Sequence, residues 1–258
     1  MSAPVSAQRR GTDLAASEES ELRERYGFAQ WSPPGEVRSG VVMSRLSVPG
    51  LSLRARTDRT AFDGGITLSF GTTSRTTVLV RLAIAPDAAS ARSILLSYLR
   101  GVQASMVPLR DRHGADVAFG DSAGGEESTA AAFGNIALWV ARTSDAGAET
   151  PSTAVVLTTL RAALGPPGTP TLVTPSLSAR ALPGGARVFH IDISGGPFDH
   201  VEARVRGGHL HSAARPSGLD VVANARGAVD VHLIATDAFG RSAERDLVLR
   251  GAASAEPL

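Results

Sequence analysis

Gly120-Asp121-Ser122 is the stretch of this 258-residue chain whose residue types could most directly do chemistry. A serine hydroxyl becomes a nucleophile when a histidine or another base lies within hydrogen-bond distance. His113 is the only histidine that precedes Ser122 in the sequence. The motif is therefore compatible with a serine hydrolase, but a polar turn in which Asp121 and Ser122 bond local backbone is the preferred interpretation.

The residues around Ser122 resemble two hydrolase families. Residues 120–125, G-D-S-A-G-G, resemble the G-D-S-G-G motif of trypsin-like proteases with an added alanine. Residues 119–122, F-G-D-S, resemble the first block of GDSL-type hydrolases, where a later D-x-x-H supplies the base. The chain has no D-x-x-H, and Asp230-Val231-His232 is the nearest approach to it. We expect no catalytic residue and no cofactor, and a serine hydrolase using Ser122 is the alternative function.

Five of the six histidines lie in the second half of the chain, two of them just after a pair of arginines. If Gly207-Gly208 is a two-residue hairpin turn, Arg206 lies opposite His209 and Arg204 lies opposite His211. Period-two alternation then places these four side chains on one outward face. The inward positions are Val201, Ala203, Val205 and Leu210. Because two arginines disfavour a bound dication, we predict no metal site here. The face is a candidate site for an anion such as a phosphate or an acidic glycan, and a plain solvated sheet face is the preferred interpretation.

Composition limits the partners and the chemistry. The formal net charge is +1, so nothing points to nucleic acid or to an anionic membrane. The chain has no cysteine, which excludes disulfides, thiol catalysis and cysteine-bound zinc. It also has no lysine, which excludes a Schiff base and a P-loop. No apolar run reaches the ~18–20 residues of a membrane span.

The first half of the chain predicts a tail followed by an α+β domain. Residues 1–38 are polar and charged and predict a flexible tail, in which residues 18–26 could form a short charged helix. Tyr26, Phe28 and Trp31 could anchor this tail to the domain surface. Residues 39–165 predict an antiparallel sheet with two helices, a two-layer arrangement. The predicted strands cover 41–57 as a pair turning at Pro49-Gly50, then 66–70, 76–85, 115–119, 129–133 and 135–142. The predicted helices cover 86–100, with Pro86 first, and 151–164, with Thr150 as N-cap and Pro151 first.

The order of elements over residues 76–164 loosely resembles small bacterial envelope domains of the sensor or lipoprotein kind. The resemblance rests on a strong strand and helix, the G-D-S-A turn, the F-G-N-I strand and a closing helix. It implies no catalytic residue.

Residues 166–175 are rich in proline and glycine and predict a semi-rigid linker. Beyond it, residues 176–251 show short strands separated by tight turns, at the spacing of a β-sandwich. The ending A-T-D-A-F-G-R-S-A-E-R-D-L-V-L, residues 235–249, resembles the last hairpin of bacterial immunoglobulin-like or fibronectin type III-like modules. Residues 252–258 predict a short tail.

These patterns together predict a non-catalytic, two-domain binding or structural protein. The resemblances imply a bacterial envelope or extracellular assembly, with a protein or a glycan as partner. Residues 2–17 have no apolar core of a secretory signal, which leaves the compartment open. The oligomeric state is open as well.

Overall fold

The computed structural model describes twelve stretches of the chain. They are residues 16–58, 65–71, 77–102, 105–121, 128–143, 152–170, 176–181, 187–194, 198–210, 218–223, 228–250 and 254–257. Antiparallel sheets dominate these residues and three α-helices accompany them, so the fold is β-rich. None of the described helices is long and apolar enough to cross a membrane. Contacts divide the chain into two compact units, Met1–Pro170 and Thr171–Leu258.

The first unit contains one seven-stranded antiparallel sheet, in the order β1-β2-β3-β7-β6-β5-β4. Its helices are α1 (Ala16–Arg25), α2 (Ala88–Gly101) and α3 (Thr153–Ala163). Its strands are β1 (Ser52–Asp58), β2 (Ile66–Gly71), β3 (Thr77–Ile84), β4 (Met106–Pro108), β5 (Val117–Asp121), β6 (Ser128–Phe133) and β7 (Ile136–Thr143).

Helices cover both faces of this sheet, because its central strands are apolar on both sides. In β7, Ile136, Leu138 and Val140 belong to a core cluster that also contains the apolar residues of α3. Ala137 and Trp139 point to the other face, where a second cluster contains residues of α1 and α2. The predicted alternation of β7 is confirmed. The predicted two-layer arrangement is wrong, because the helices lie on opposite faces.

Side-chain caps, rather than prolines, start α2 and α3. Asp87 caps α2, and its carboxylate accepts a hydrogen bond from the Ser90 amide at 2.7 Å. Ser152 caps α3, with its hydroxyl 3.4 Å from the Val155 amide. The predicted first helical position at Pro86 is therefore wrong. Thr150 and Pro151 lie outside the described residues.

The predicted strand pair over residues 41–57 is wrong in its first half. Val41 forms an isolated bridge with Leu164, and a 3₁₀ turn over Met43–Arg45 follows it. Leu46 and Val48 are nevertheless buried in the cluster beside α3. These side chains satisfy the apolar pattern without a strand, because loop residues can also reach the core.

Residues 16–38 pack on the first unit rather than forming a tail. Leu22 of α1 is 5% exposed. The Tyr26 and Trp31 rings lie 5.5 and 5.7 Å from the Phe119 ring, centroid to centroid. Arg92, which is buried, donates to the Ser32 carbonyl. The flexible tail is wrong for residues 16–38, whereas the predicted short helix and the anchoring by Tyr26, Phe28 and Trp31 are confirmed. Residues 1–15 lie outside the described residues.

Asn135 ties residues 35–42 to the sheet. Its side-chain amide donates to the carbonyls of Arg38 and Ala85 at 3.0 and 2.9 Å, and its Oδ1 accepts from the Arg38 amide at 2.7 Å. Nearby, Asp116 Oδ2 accepts from the amides of Gly35 and Gly134 at 2.8 and 2.7 Å. This segment therefore forms a hydrogen-bonded strap across one end of the sheet.

The start of the predicted linker belongs to the same assembly. The Ser39 amide donates to the Pro166 carbonyl at 2.9 Å, and the Gly168 amide donates to the Val37 carbonyl at 3.0 Å. Residues 166–168 are thus bound into the first unit rather than serving as linker. Residues 171–175 lie outside the described residues.

The second unit contains two four-stranded antiparallel sheets, in the orders β11-β12-β9-β8 and β10-β13-β14-β15. Its strands are β8 (Ser176–Ala181), β9 (Arg187–Ser194), β10 (Phe198–Arg206), β11 (Gly208–Leu210), β12 (Gly218–Ala223), β13 (Val229–Asp237), β14 (Ser242–Arg250) and β15 (Ser254–Pro257).

One core cluster joins the two sheets of the second unit. Ile191 and Leu219 enter it from one sheet, and Val231 and Leu247 enter it from the other. The predicted tail over residues 252–258 is wrong for Ser254–Pro257, because this stretch forms β15 and pairs with β14.

Candidate functional site

Gly207 carries the chain from one sheet of the second unit to the other. β10 ends at Arg206 and pairs with β13, whereas β11 begins at Gly208 and pairs with β12. Gly207 has a φ of 84°, a left-handed conformation that glycine adopts readily. The predicted hairpin at Gly207-Gly208 is therefore wrong, because its two strands belong to different sheets.

The crossover separates the four residues predicted to form an anion-binding face. Arg204 and Arg206 are exposed on β10, as alternation predicts, while Val201 is buried. His209 is exposed on β11, in register with Val222 of β12. Leu210, predicted to face the core, is 38% exposed. Of the described members, the arginine pair therefore stays together on β10 while His209 lies on β11 in the other sheet. His211 lies outside the described residues.

His232 and Asp230 of β13 lie opposite Arg204 and Arg206, where His211 and His209 were predicted. Arg204 is in register with His232 of β13, and His232 is in register with Asp246 of β14. Arg206 is in register with Asp230, two residues before His232. Register partners on one face of an antiparallel sheet have neighbouring side chains. Arg204, His232 and Asp246 therefore form one row across the sheet, beside the pair Arg206 and Asp230.

A groove with a volume of about 380 Å³ lies on this face of the sheet and is lined by residues of β10, β13 and β14. Its charged or titratable lining residues are Arg204, Arg206, Asp230, His232 and Asp246. Val205, Val231 and Leu247 also line it. Because the Val231 and Leu247 side chains lie in the core, these residues offer the groove only their backbone. The groove thus has a flat floor and polar walls.

The walls of the groove carry opposite charges. Both arginines stand on β10, and Arg204 is held loosely by Glu202, with Nε 3.3 Å from Oε1. On β13 and β14, His232 lies between two carboxylates. Its Nδ1 is 2.6 Å from Asp246 Oδ1, and its Nε2 is 3.3 Å from Glu244 Oε2. The contact with Asp246 has the geometry of a hydrogen bond.

The other sheet holds a similar histidine on its outward side. His190 Nδ1 lies 2.5 Å from Asp220 Oδ1, and Nε2 lies 3.0 Å from Asp192 Oδ1. The hydrogen bond to Asp220 raises the pKa of His190, and the charges of both carboxylates add to the effect against a smaller opposing effect of burial. Arg180 of β8 is in register with His190 on its other side.

We expect Asp220→Asn to lower the pKa of His190 and to flatten the pH dependence of the stability of the second unit. A histidine pKa raised in the folded state stabilises the fold fully below its unfolded pKa, about 6.5. That contribution is lost as the pH rises through the folded pKa. Histidine NMR titration measures the pKa, and urea unfolding between about pH 6 and 9 measures the stability. Asp230→Asn is the control, and an unchanged His190 titration in Asp220→Asn would contradict the assignment.

The alternative site at Ser122 lies outside the described residues. Asp121 ends β5, in register with Met106 of β4. His113 lies in the loop before β5 with a φ of 49°, and its amide donates to Asp111 Oδ1 at 2.9 Å. No observation from the described residues favours a catalytic centre here.

Sequence reasoning found the two arginines of the groove but missed its other members. Strand alternation alone places Arg204 and Arg206 outward. His232, Asp230 and Asp246 join them only through pairing between strands that are distant in sequence, and no local pattern encodes that register. The best available signal was that Asp230 and His232 alternate with apolar neighbours in β13, whereas Asp246 follows Arg245 and carries no such signal.

Comparison with known proteins gives no relative for this chain: no family model, curated protein or solved structure matches it.

Proposed function

We propose that this chain is a non-catalytic binding protein of a bacterial envelope or extracellular assembly. In this proposal the second unit is an immunoglobulin-like module, and the groove across β10, β13 and β14 binds an anionic ligand. The first unit, with its covered sheet, is a structural platform.

Strand order supports the immunoglobulin-like assignment. A constant-type immunoglobulin sandwich places strands A, B, E and D in one sheet and C, F and G in the other. With β8 to β14 as A to G, the two sheets read A-B-E-D and C-F-G. β15 is an additional strand beside β14. Proteins with this fold have many functions, so the ligand has to be argued from the groove.

The observation that carries the binding function is the arginine pair at the wall of the groove. Arg204 and Arg206 are two residues apart on one strand, which places their Cα atoms roughly 7 Å apart. Guanidinium groups bind carboxylates and phosphates through paired N–H donors. The Arg206 side chain is exposed and forms no hydrogen bond or ion pair with another described residue, which favours it as a ligand contact.

We expect the double variant Arg204→Ala/Arg206→Ala to weaken binding of an anionic polymer by about tenfold or more. Each charge-assisted hydrogen bond contributes about 1.5–3 kcal/mol, and tenfold corresponds to about 1.4 kcal/mol. Calorimetry with hyaluronate and dextran sulfate at low salt measures the effect, and added salt should weaken binding further.

The matched control for that variant is Arg110→Ala/Arg245→Ala. It removes the same charge at two exposed positions that do not line the groove. Equal losses in both double variants would show non-specific attraction and would contradict the proposed function. The same is true if neither polymer binds.

A further inference from the structure

An arginine and an aspartate face each other across the groove without pairing. Arg206 and Asp230 are in register on adjacent strands, and both are exposed. Neither side chain forms a hydrogen bond or an ion pair with another residue that the structure describes. Such a site presents one cation that needs an acceptor and one carboxylate that needs a donor. A ligand that supplies both groups side by side would engage each of them.

The acidic wall selects against ligands of high negative charge. Asp230 and Asp246 line the groove opposite the arginines, and Glu244 lies next to Asp246 at His232. A densely sulfated or phosphorylated polymer would meet the arginines on one side and be repelled by these carboxylates on the other. Carboxylates accept hydrogen bonds readily from hydroxyl groups. The favoured ligand therefore has isolated anionic groups surrounded by hydroxyls.

The dimensions of the groove agree with a small ring. Adjacent strands lie roughly 4.8 Å apart, so an anion at Arg206 and a donor at Asp230 must be close neighbours within one ligand residue. The volume of about 380 Å³ lies toward the small end of the range for ligand sites. A sugar acid carries its carboxylate and its ring hydroxyls at such short spacing.

We propose that the groove binds a carboxylated, unsulfated saccharide through its uronic acid units. The sugar carboxylate binds Arg206, with Arg204 beside it, and ring hydroxyls donate to Asp230 and Asp246. The hydrogen-bonded backbone of Val205, Val231 and Leu247 forms the floor on which the ring lies. This inference rests on the proposed anion-binding function and names its ligand class.

The test is calorimetry on the full chain with four polymers matched in length. Hyaluronate carries carboxylates and hydroxyls, polyglutamate carries carboxylates without ring hydroxyls, dextran sulfate carries dense sulfate, and dextran is neutral. We expect hyaluronate to bind most tightly. Asp230→Ala should weaken hyaluronate binding by about fivefold or more and should leave dextran sulfate binding unchanged or stronger. Glu24→Gln, an exposed acid in the first unit, is the control.

The direction of the Asp230→Ala effect decides between the hypotheses. If Asp230 only repels anions, its removal strengthens binding of hyaluronate, and the saccharide inference is wrong. It is also wrong if dextran sulfate or polyglutamate binds as well as hyaluronate, although arginine-dependent binding would then still uphold the proposed function. If no polymer binds in an arginine-dependent way, both fail. Circular dichroism of each variant checks that the fold is retained.

Discussion

Replacing Asn135 with leucine is expected to destabilise the first unit by about 3–5 kcal/mol. Asn135 is fully buried, and its side chain makes three hydrogen bonds, all to backbone groups of Arg38 and Ala85. Leucine has a similar size but neither donates nor accepts. Each buried backbone group left without a partner costs about 1–3 kcal/mol.

Tryptophan fluorescence isolates this effect from the second unit. The two tryptophans of the chain, Trp31 and Trp139, both lie in the first unit, so their signal in a urea titration reports the unfolding of that unit. Ser47→Ala, at an exposed loop position, is the control and should change stability by less than about 0.5 kcal/mol. A similarly small change in Asn135→Leu would show that the strap is not held by this side chain.

Gly134→Ala is expected to cost about 3 kcal/mol or more, well beyond the cost of a left-handed alanine alone. Gly134 has a φ of 56°, and a Cβ there would lie 2.3 Å from the Glu36 carbonyl oxygen. The backbone of the strap would have to move. The conformational strain of alanine in this region contributes about 1–2 kcal/mol by itself.

Gly50→Ala separates strain from steric conflict. Gly50 has a φ of 75°, but a Cβ built on it meets no atom within 4 Å. This control should therefore lose only the strain term, about 1–2 kcal/mol. Equal losses of stability in the two variants, measured by the same urea titration, would contradict this prediction. They would mean that the backbone of the strap moves away from the new Cβ without a free-energy cost.

Alternation in the sequence predicted the interior strands well, because alternate residues of a strand share one face and the apolar ones are buried there. Ile66, Leu68 and Phe70 of β2 are buried, and the predicted strand over 76–85 is β3, flanked by β2 and β7. The same logic fails where a segment is buried without periodicity. Residues 16–38 are held by scattered aromatics and by buried polar partners such as Arg92 and Asn135, and none of these leaves a regular spacing.

The candidate site shows the same limit. Local alternation put Arg204 and Arg206 outward, but the glycine pair after them suggested a hairpin. Two adjacent glycines permit a tight turn and a change of sheet equally well. The choice depends on whether β10 gains more by pairing with β13 than with β11, and only the assembled core determines that. His232 and Asp246 could not be assigned to the groove before that choice was known.

The switch of sheet at Gly207 also bears on how the second unit is made in the cell. β10 pairs with β13 and not with the next strand, so Phe198 cannot pair with Asp237 until the ribosome has synthesised Asp237. β11 pairs with β12, which begins at Gly218. Until β13 emerges from the ribosome, β10 exposes Val201 and Phe198 beside an unpaired edge, a combination prone to aggregation. The exposed Arg204 and Arg206 at its far end place charge beside this apolar strand, an arrangement that lowers the tendency of such strands to aggregate.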